Sequence, residues 1–141
     1  MFMRALYKLL RPRYRTVKVT FRGRAIRAYL ADSSVKKMFG LMFRERLEDG
    51  MGMLFALGSE SRMGAGIWML NMRFSIDVVW MDRNGKVVDV AENLKPCTSM
   101  LRCRTYIPRS KAKYVLELNS GTARRLGIRR GLDFEEIEDL Q

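Results

Sequence analysis

The stretch Ser75 to Glu92 restricts the fold more than any other part of the chain. Two short runs rich in β-branched and aromatic residues, Ser75 to Asp82 and Val87 to Glu92, are joined through Arg83-Asn84-Gly85-Lys86. Asn-Gly accepts the positive φ angles of a two-residue type I′ turn, whose twist matches the flanking strands, so the segment predicts a β-hairpin. A turn centred on Asn84-Gly85 sets Asp82 opposite Val87, Met81 opposite Val88, Val79 opposite Val90 and Asp77 opposite Glu92. Side chains alternate along a strand, so Asp77, Val79, Met81, Val88, Val90 and Glu92 are expected on one face, apolar except at its far end.

The same short-period pattern recurs elsewhere. Thr16 to Phe21 and Ala25 to Leu30 flank Arg22-Gly23-Arg24 and read as a second hairpin. Asp32 or Ser33 is placed to cap a short helix that Gly40 stops. Glycines 50, 52, 58, 64 and 66 bracket the apolar run Met51 to Leu57. Tyr114 to Leu118 reads as a buried strand, Ser120 to Leu126 as a short helix and Asp133 to Ile137 as a final strand. Many short strands with brief helices predict a mainly β (β-rich α+β) chain, a single β-sandwich or flattened barrel with two short helices, rather than a parallel βαβ sheet. A length of 141 residues suits one such core. The expected organisation is a basic N-terminal extension over 1–14, the β-rich domain over 15–138 and an acidic end over 139–141. Within the extension, Phe2, Leu6, Leu9 and Leu10 share one helical side until Pro12. That pattern fits a packed or frayed terminal turn, or an anchor lying on a membrane surface.

Charge is unevenly distributed. The first 31 residues carry nine Lys or Arg and no acid, the last ten carry five acids and no base, and the whole chain is +12. Such a chain attracts anions and binds polyanions or anionic lipid weakly and in a salt-sensitive way. Zinc-finger spacing, ribonucleoprotein aromatics and a basic zipper are all missing from the sequence, so no specific nucleic-acid recognition is expected.

There is no histidine, which removes the commonest general base, a common zinc ligand and the usual nucleophilic triads. Gly50-Met51-Gly52 and Gly64-Ala65-Gly66 lack the Lys-Ser/Thr end of a phosphate loop, and no GxSxG elbow occurs. No catalytic residue, metal site or cofactor is therefore expected. Asp77 and Glu92, paired across an apolar face, would raise each other's pKa and handle a proton or ligand beside Trp68 and Asn71. Alternatively, Asp77 is structural and accepts backbone amides at the start of its strand. Cys97, Met100 and Cys103 recur at intervals of three and have three readings: a soft-metal set, a disulfide or redox pair, or inert packed thiols. The 11 methionines lie mostly among Leu, Phe and Trp and read as core.

Several segments carry a family likeness. Gly40-Leu41-Met42-Phe43-Arg44, Gly52-Met53-Leu54-Phe55, Trp68-Met69 with Asn71, Ile76-Asp77, Pro96-Cys97, and Tyr114-Val115-Leu116-Glu117-Leu118 with Gly121 follow the order and spacing of the DUF192 (UPF0127) family, which the chain resembles over about residues 17 to 137. The resemblance implies a compact, mostly β domain of about this size, often behind an export signal or lipid anchor in bacteria. It brings no activity and no catalytic residue. Met72 to Ser75 stand where the pattern usually has a polar residue and a proline.

The function expected from the residues is a non-enzymatic module for a small ligand, or an accessory module, with a cleft near Trp68, Asn71, Asp77 and Tyr106. Trp and Tyr supply broad apolar faces with a polar handle for such a pocket. A rival is a thiol-redox or soft-metal-handling protein built on Cys97 and Cys103. A third is nonspecific polyanion or anionic-membrane binding through the basic arm. With no signal peptide and no membrane span in the sequence, a cytoplasmic location, with or without membrane-surface association, is expected.

Overall fold

Strand formation prevails over most of the chain. In the computed structural model, which describes residues 2–139, the elements run α1 (Phe2–Leu10), β1 (Thr16–Phe21), β2 (Arg24–Ala31), α2 (Ser34–Phe39), β3 (Met51–Ser61), β4 (Ile67–Trp68), β5 (Ile76–Met81), β6 (Val87–Leu94), β7 (Thr105–Tyr106), β8 (Ala112–Asn119), α3 (Thr122–Leu126) and β9 (Glu136–Asp139). Seven strands form one sheet in the order β6-β5-β8-β3-β2-β1-β9, and β4 pairs with β7 in a separate two-stranded ladder. The chain is mainly β, as expected.

The barrel does not close. Edge strands β6 and β9 are not neighbours in the sheet, but the segment before β9 bridges β6 to β1: Gly131 N–H donates to the Val87 carbonyl of β6 and Glu135 N–H to the Thr20 carbonyl of β1. The sheet curls far enough for residues of β1, β2, β3, β8 and β5 to pack in one cluster on its inner face, with Phe21, Leu54, Met81, Leu116 and Leu118 at its centre and Ala123 of α3 and Phe134 closing it. The outer face carries a second cluster. There Met53, Phe55, Val78, Trp80 and Val115 lie under the loop after α2 and the β4–β7 ladder, and Trp80 Nε1–H donates to the Ala65 carbonyl at 2.8 Å. With both faces covered, β5 is buried along its whole length, which is why its sequence is a continuous apolar run interrupted only by Asp77.

Several expectations need correcting. β2 and β3 run parallel through the connection that contains α2, so one βαβ unit is present; α2 has only six residues, too few to show a helical period in sequence. The 75–92 hairpin forms, but through a three-residue loop: Asp82 N–H bonds the Lys86 carbonyl, and only Gly85, at φ 84°, takes a positive φ inside the loop. The Asp82 carboxylate selects this turn by accepting the N–H groups of Asn84 and Lys86. Register slips follow at both ends of the pair. Val79 faces Val90 as expected, but Met81 faces Val87, and Ile76 faces Leu94 across a bulge that contains Asn93 at φ 53°. Asp77 and Glu92 are therefore not a cross-strand pair, and Glu92 reaches outward to Arg124 Nε at 3.4 Å.

The N-terminal segment folds back on the domain. Met3, Leu6 and Tyr7 of α1 pack with Phe39, Met42, Phe43, Leu70 and Cys103. Tyr14 reaches the carbonyls of Lys36 and Gly40 at the end of α2.

Candidate functional site

The register across the middle of the sheet sets Val78 beside Glu117, Glu117 beside Met53 and Met53 beside Tyr29. All four side chains therefore share the outer face, and Glu117 is the one acid among apolar neighbours. It is 5% exposed and has no hydrogen-bond partner among the described residues. Burial pushes its carboxyl from 4.5 up to about 8, because a desolvated carboxylate without donors is costly and the neutral acid is favoured.

A cavity of about 170 Å³ opens over Glu117, walled by Phe39, Gly40, Leu41, Met42, Phe55, Ile67, Trp68 and Met72 with Lys37 and Met38 also on its lining. A second hollow of about 240 Å³, bounded by Leu57, Ala65 and Val115, shares Lys37, Phe55, Gly66 and Ile67 with it as a common wall. Together they make a cleft between α2 and β4. Gly40 forms part of the floor. Its φ is 48° and a Cβ there would lie 2.9 Å from the Phe55 ring and 3.9 Å from Glu117 Oε1, so no larger residue fits without displacing the wall. The Lys37 ammonium is held by the Ala56 carbonyl at 3.2 Å rather than by Glu117.

Beside this floor, the Arg44 guanidinium lies 4.5 Å from the ring centre of Tyr29 and 5.6 Å from that of Tyr14, and its buried Nε has no partner. Tyr29 in turn donates to Glu48 at 3.1 Å. Burial is the main cause that pushes the Tyr14 phenol up to about 12, against the opposing pull of Arg44. These aromatic and cationic contacts brace the loop after α2 against the sheet.

The residues singled out from sequence do not form one cleft. Trp68 lies on the cavity wall and is 37% exposed. Asn71, at φ 61°, holds the neighbouring loop: its carbonyl accepts from Phe43 N–H at 3.0 Å and its amide points at Met42 Sδ. Tyr106 is across the ladder from Ile67, with the Arg104 guanidinium 4.6 Å from its ring centre, and lines a different hollow of about 400 Å³ with Met69, Lys95 and Arg102. Asp77 is on the other side of the sheet altogether. It is fully buried, with Oδ1 accepting from Asn93 N–H at 2.9 Å and Oδ2 from Ala123 N–H at 3.0 Å. Both oxygens tie the β6 bulge and α3 to β5, which is the structural reading of this acid and separates it from Trp68.

Cys97 and Cys103 are joined in a disulfide with Cα atoms 5.6 Å apart. In this state neither is a thiolate able to bind metal. No group of three metal-ligating His, Cys, Asp or Glu occurs among the described residues. Cys97 N–H donates to the Met69 carbonyl, so the disulfide loop hangs directly from the Trp68 segment.

Sequence reading missed Glu117, although a signal was available. An acid inside the run Tyr114 to Leu118 has no exposed face to occupy if the strand is covered on both sides. A larger depression, about 820 Å³ between Arg24, Asp49, Gly50 and α3, is lined by Ile26, Met51, Leu118 and Leu126 together with Arg24, Asp49 and Arg125, all three exposed, and holds no buried titratable group.

Comparison with known proteins agrees with the fold. The sequence profile of DUF192, described as an uncharacterized ACR, matches residues 17–135. A UPF0127 protein of Pyrococcus horikoshii is 40% identical over 88 residues, covering 62% of this chain and 68% of that one. A crystal structure from Sinorhizobium meliloti, named as a candidate transcription regulator, superposes with a TM-score of 0.74 at 29% identity over 87% of this chain and 93% of its own. Another, of unknown function from Novosphingobium aromaticivorans, gives 0.72 at 30% identity over 86% and 84%.

Proposed function

The chain belongs to the DUF192 family, and on that footing we propose that it is a non-enzymatic binding module whose small ligand enters the cleft between α2 and β4 and meets the Glu117 carboxyl. The observation that carries this reading is Glu117 itself. A buried carboxyl facing a cavity with no protein donor or acceptor is costly to keep unless something fills its hydrogen-bonding capacity. Phe39, Phe55, Trp68 and the methionines around it favour a ligand with an apolar body. A carboxyl that stays protonated at neutral pH offers one O–H donor and one carbonyl acceptor. Its complement is a hydroxyl, amide or acid group at one end of that ligand.

Binding is favoured over catalysis because proton transfer between two groups needs a partner for Glu117, and the other titratable group on the wall, Lys37, is engaged by a backbone carbonyl. The test is a thermal-shift screen of small amphiphilic molecules against the parent, Glu117→Leu, which removes both the donor and the acceptor, and Trp68→Ala. Hits are expected to stabilise the parent and to lose most of that shift in both variants. Hits that shift all three proteins equally refute the site.

A second reading, thiol-disulfide exchange, rests on the Cys97–Cys103 bond beside Trp68. It requires turnover with a dithiol reductant and a disulfide substrate; a bond that stays oxidised throughout such an assay removes it.

A further inference from the structure

Every large apolar side chain left exposed among the described residues lies on α1, on α2, on β4 and the stretch leading into it, or in the disulfide loop. These are the elements that cover the outer face of the sheet. Phe2 is 76% exposed, Leu9 79% and Leu101 98%. Phe2 and Leu9 are seven residues apart and so share a stripe of α1, beside the stripe of Met3, Leu6 and Tyr7 that packs inward. The apolar arc of this helix is thus wider than the patch it rests on. At α2, the exposed Met38 lines the same cleft as the part-exposed Trp68.

The charges around these residues are of one sign. Segments 1–31, 33–44, 61–76 and 93–116, which carry all of these exposed large apolar side chains of the described residues, contain none of the 15 acids of the chain. Arg4, Lys8 and Arg11 flank the helix stripe, and Lys95, Arg102 and Arg104 flank the loop tip. The acids lie elsewhere, most densely on β9 and the segment before it.

We propose that this face docks on an anionic phospholipid bilayer, with α1 and the disulfide loop in the headgroup layer, Phe2, Leu9 and Leu101 at the acyl boundary, and the surrounding Arg and Lys against phosphates. Exposed leucine and phenylalanine cost free energy in water and recover it in hydrocarbon, while the cations draw the surface toward negative lipid. A nucleic acid would make use of the cations alone and leave Leu101 in water.

Sedimentation of the full chain with vesicles tests this directly. Vesicles of phosphatidylcholine with about a third phosphatidylglycerol should bind the protein, and pure phosphatidylcholine should not. The triple variant Phe2→Ser, Leu9→Ser, Leu101→Ser should lose at least about tenfold in partitioning without a change in net charge, and its melting temperature should stay near the parent's because the three side chains are exposed. Brominated acyl chains should quench Trp68, since the other tryptophan, Trp80, is buried. Three results would each overturn the proposal: equal partitioning of the serine variant, equal binding to uncharged vesicles, or tighter binding to an RNA duplex than to anionic vesicles.

Discussion

Glu117 makes the stability of this domain depend on pH in a direction opposite to that of most carboxylates. Its carboxyl is raised from 4.5 to about 8 by burial. Between those two values the unfolded chain has released the proton while the folded chain still holds it, so unfolding is favoured progressively as pH rises. The contribution is fully present below pH 4.5, falls through the interval and is lost above about 8. A shift of this size corresponds to about 5 kcal/mol at most, at roughly 1.4 kcal/mol per pH unit, which is comparable to the whole stability of a marginal domain. Glu117→Gln keeps the shape and cannot ionise. Urea unfolding of parent and variant at pH 5 and pH 9 isolates the effect: the variant should gain several kcal/mol on the parent between the two conditions, with little difference in m-value. Parallel pH profiles for the two proteins would show that Glu117 ionises freely in the fold, and the account of a desolvated acid on the cleft floor would fail.

Asp77→Asn should be costly for a different reason. The amide keeps one acceptor but turns an N–H toward Asn93 or Ala123, losing a charge-assisted bond and stranding a buried donor; about 2–4 kcal/mol is expected, or a fall of about 10 °C in melting temperature. Gly40→Ala should destabilise by about 1–3 kcal/mol, since its φ of 48° and the nearby Phe55 ring both resist a Cβ, and ligand-induced thermal shifts should shrink with it. Reducing Cys97–Cys103, which closes a short loop, should lower stability by about 2 kcal/mol in urea unfolding; the double variant Cys97→Ser, Cys103→Ser should show no response to reductant.

Local signals were legible where they were self-contained. The β1–β2 hairpin forms with Arg22 and Gly23 both at positive φ, and Ser33 caps α2 by accepting Lys36 N–H. The 75–92 hairpin was readable as a hairpin but not in its loop, because the Asp82 carboxylate rather than the Asn-Gly pair determines the turn. The loop change is absorbed between Met81 and Trp80, since Val79 still faces Val90, and the bulge at Asn93 alone takes Glu92 out of register with Asp77. The cleft was less visible still. Trp68 could be nominated by type, but Glu117, Gly40 and Phe55 come from β8, the end of α2 and β3, and meet only through pairings across the sheet. The back-folding of α1 depends on Phe39 and Leu70, distant in sequence, so its residues left open whether it packs, frays or lies on a membrane surface.

The position of β9 bears on how the chain acquires its structure. Among the described residues it pairs with β1 and with no other strand, Val19 against Ile137 and Lys18 against Glu138, so that edge of β1 has no strand partner until residues 136–139 have been synthesised. Contacts of such long sequence separation slow folding and leave an unpaired edge open while synthesis proceeds. The basic run over the first 31 residues gives that edge like charges on every copy, so nascent chains repel one another until the acidic strand arrives to complete the sheet.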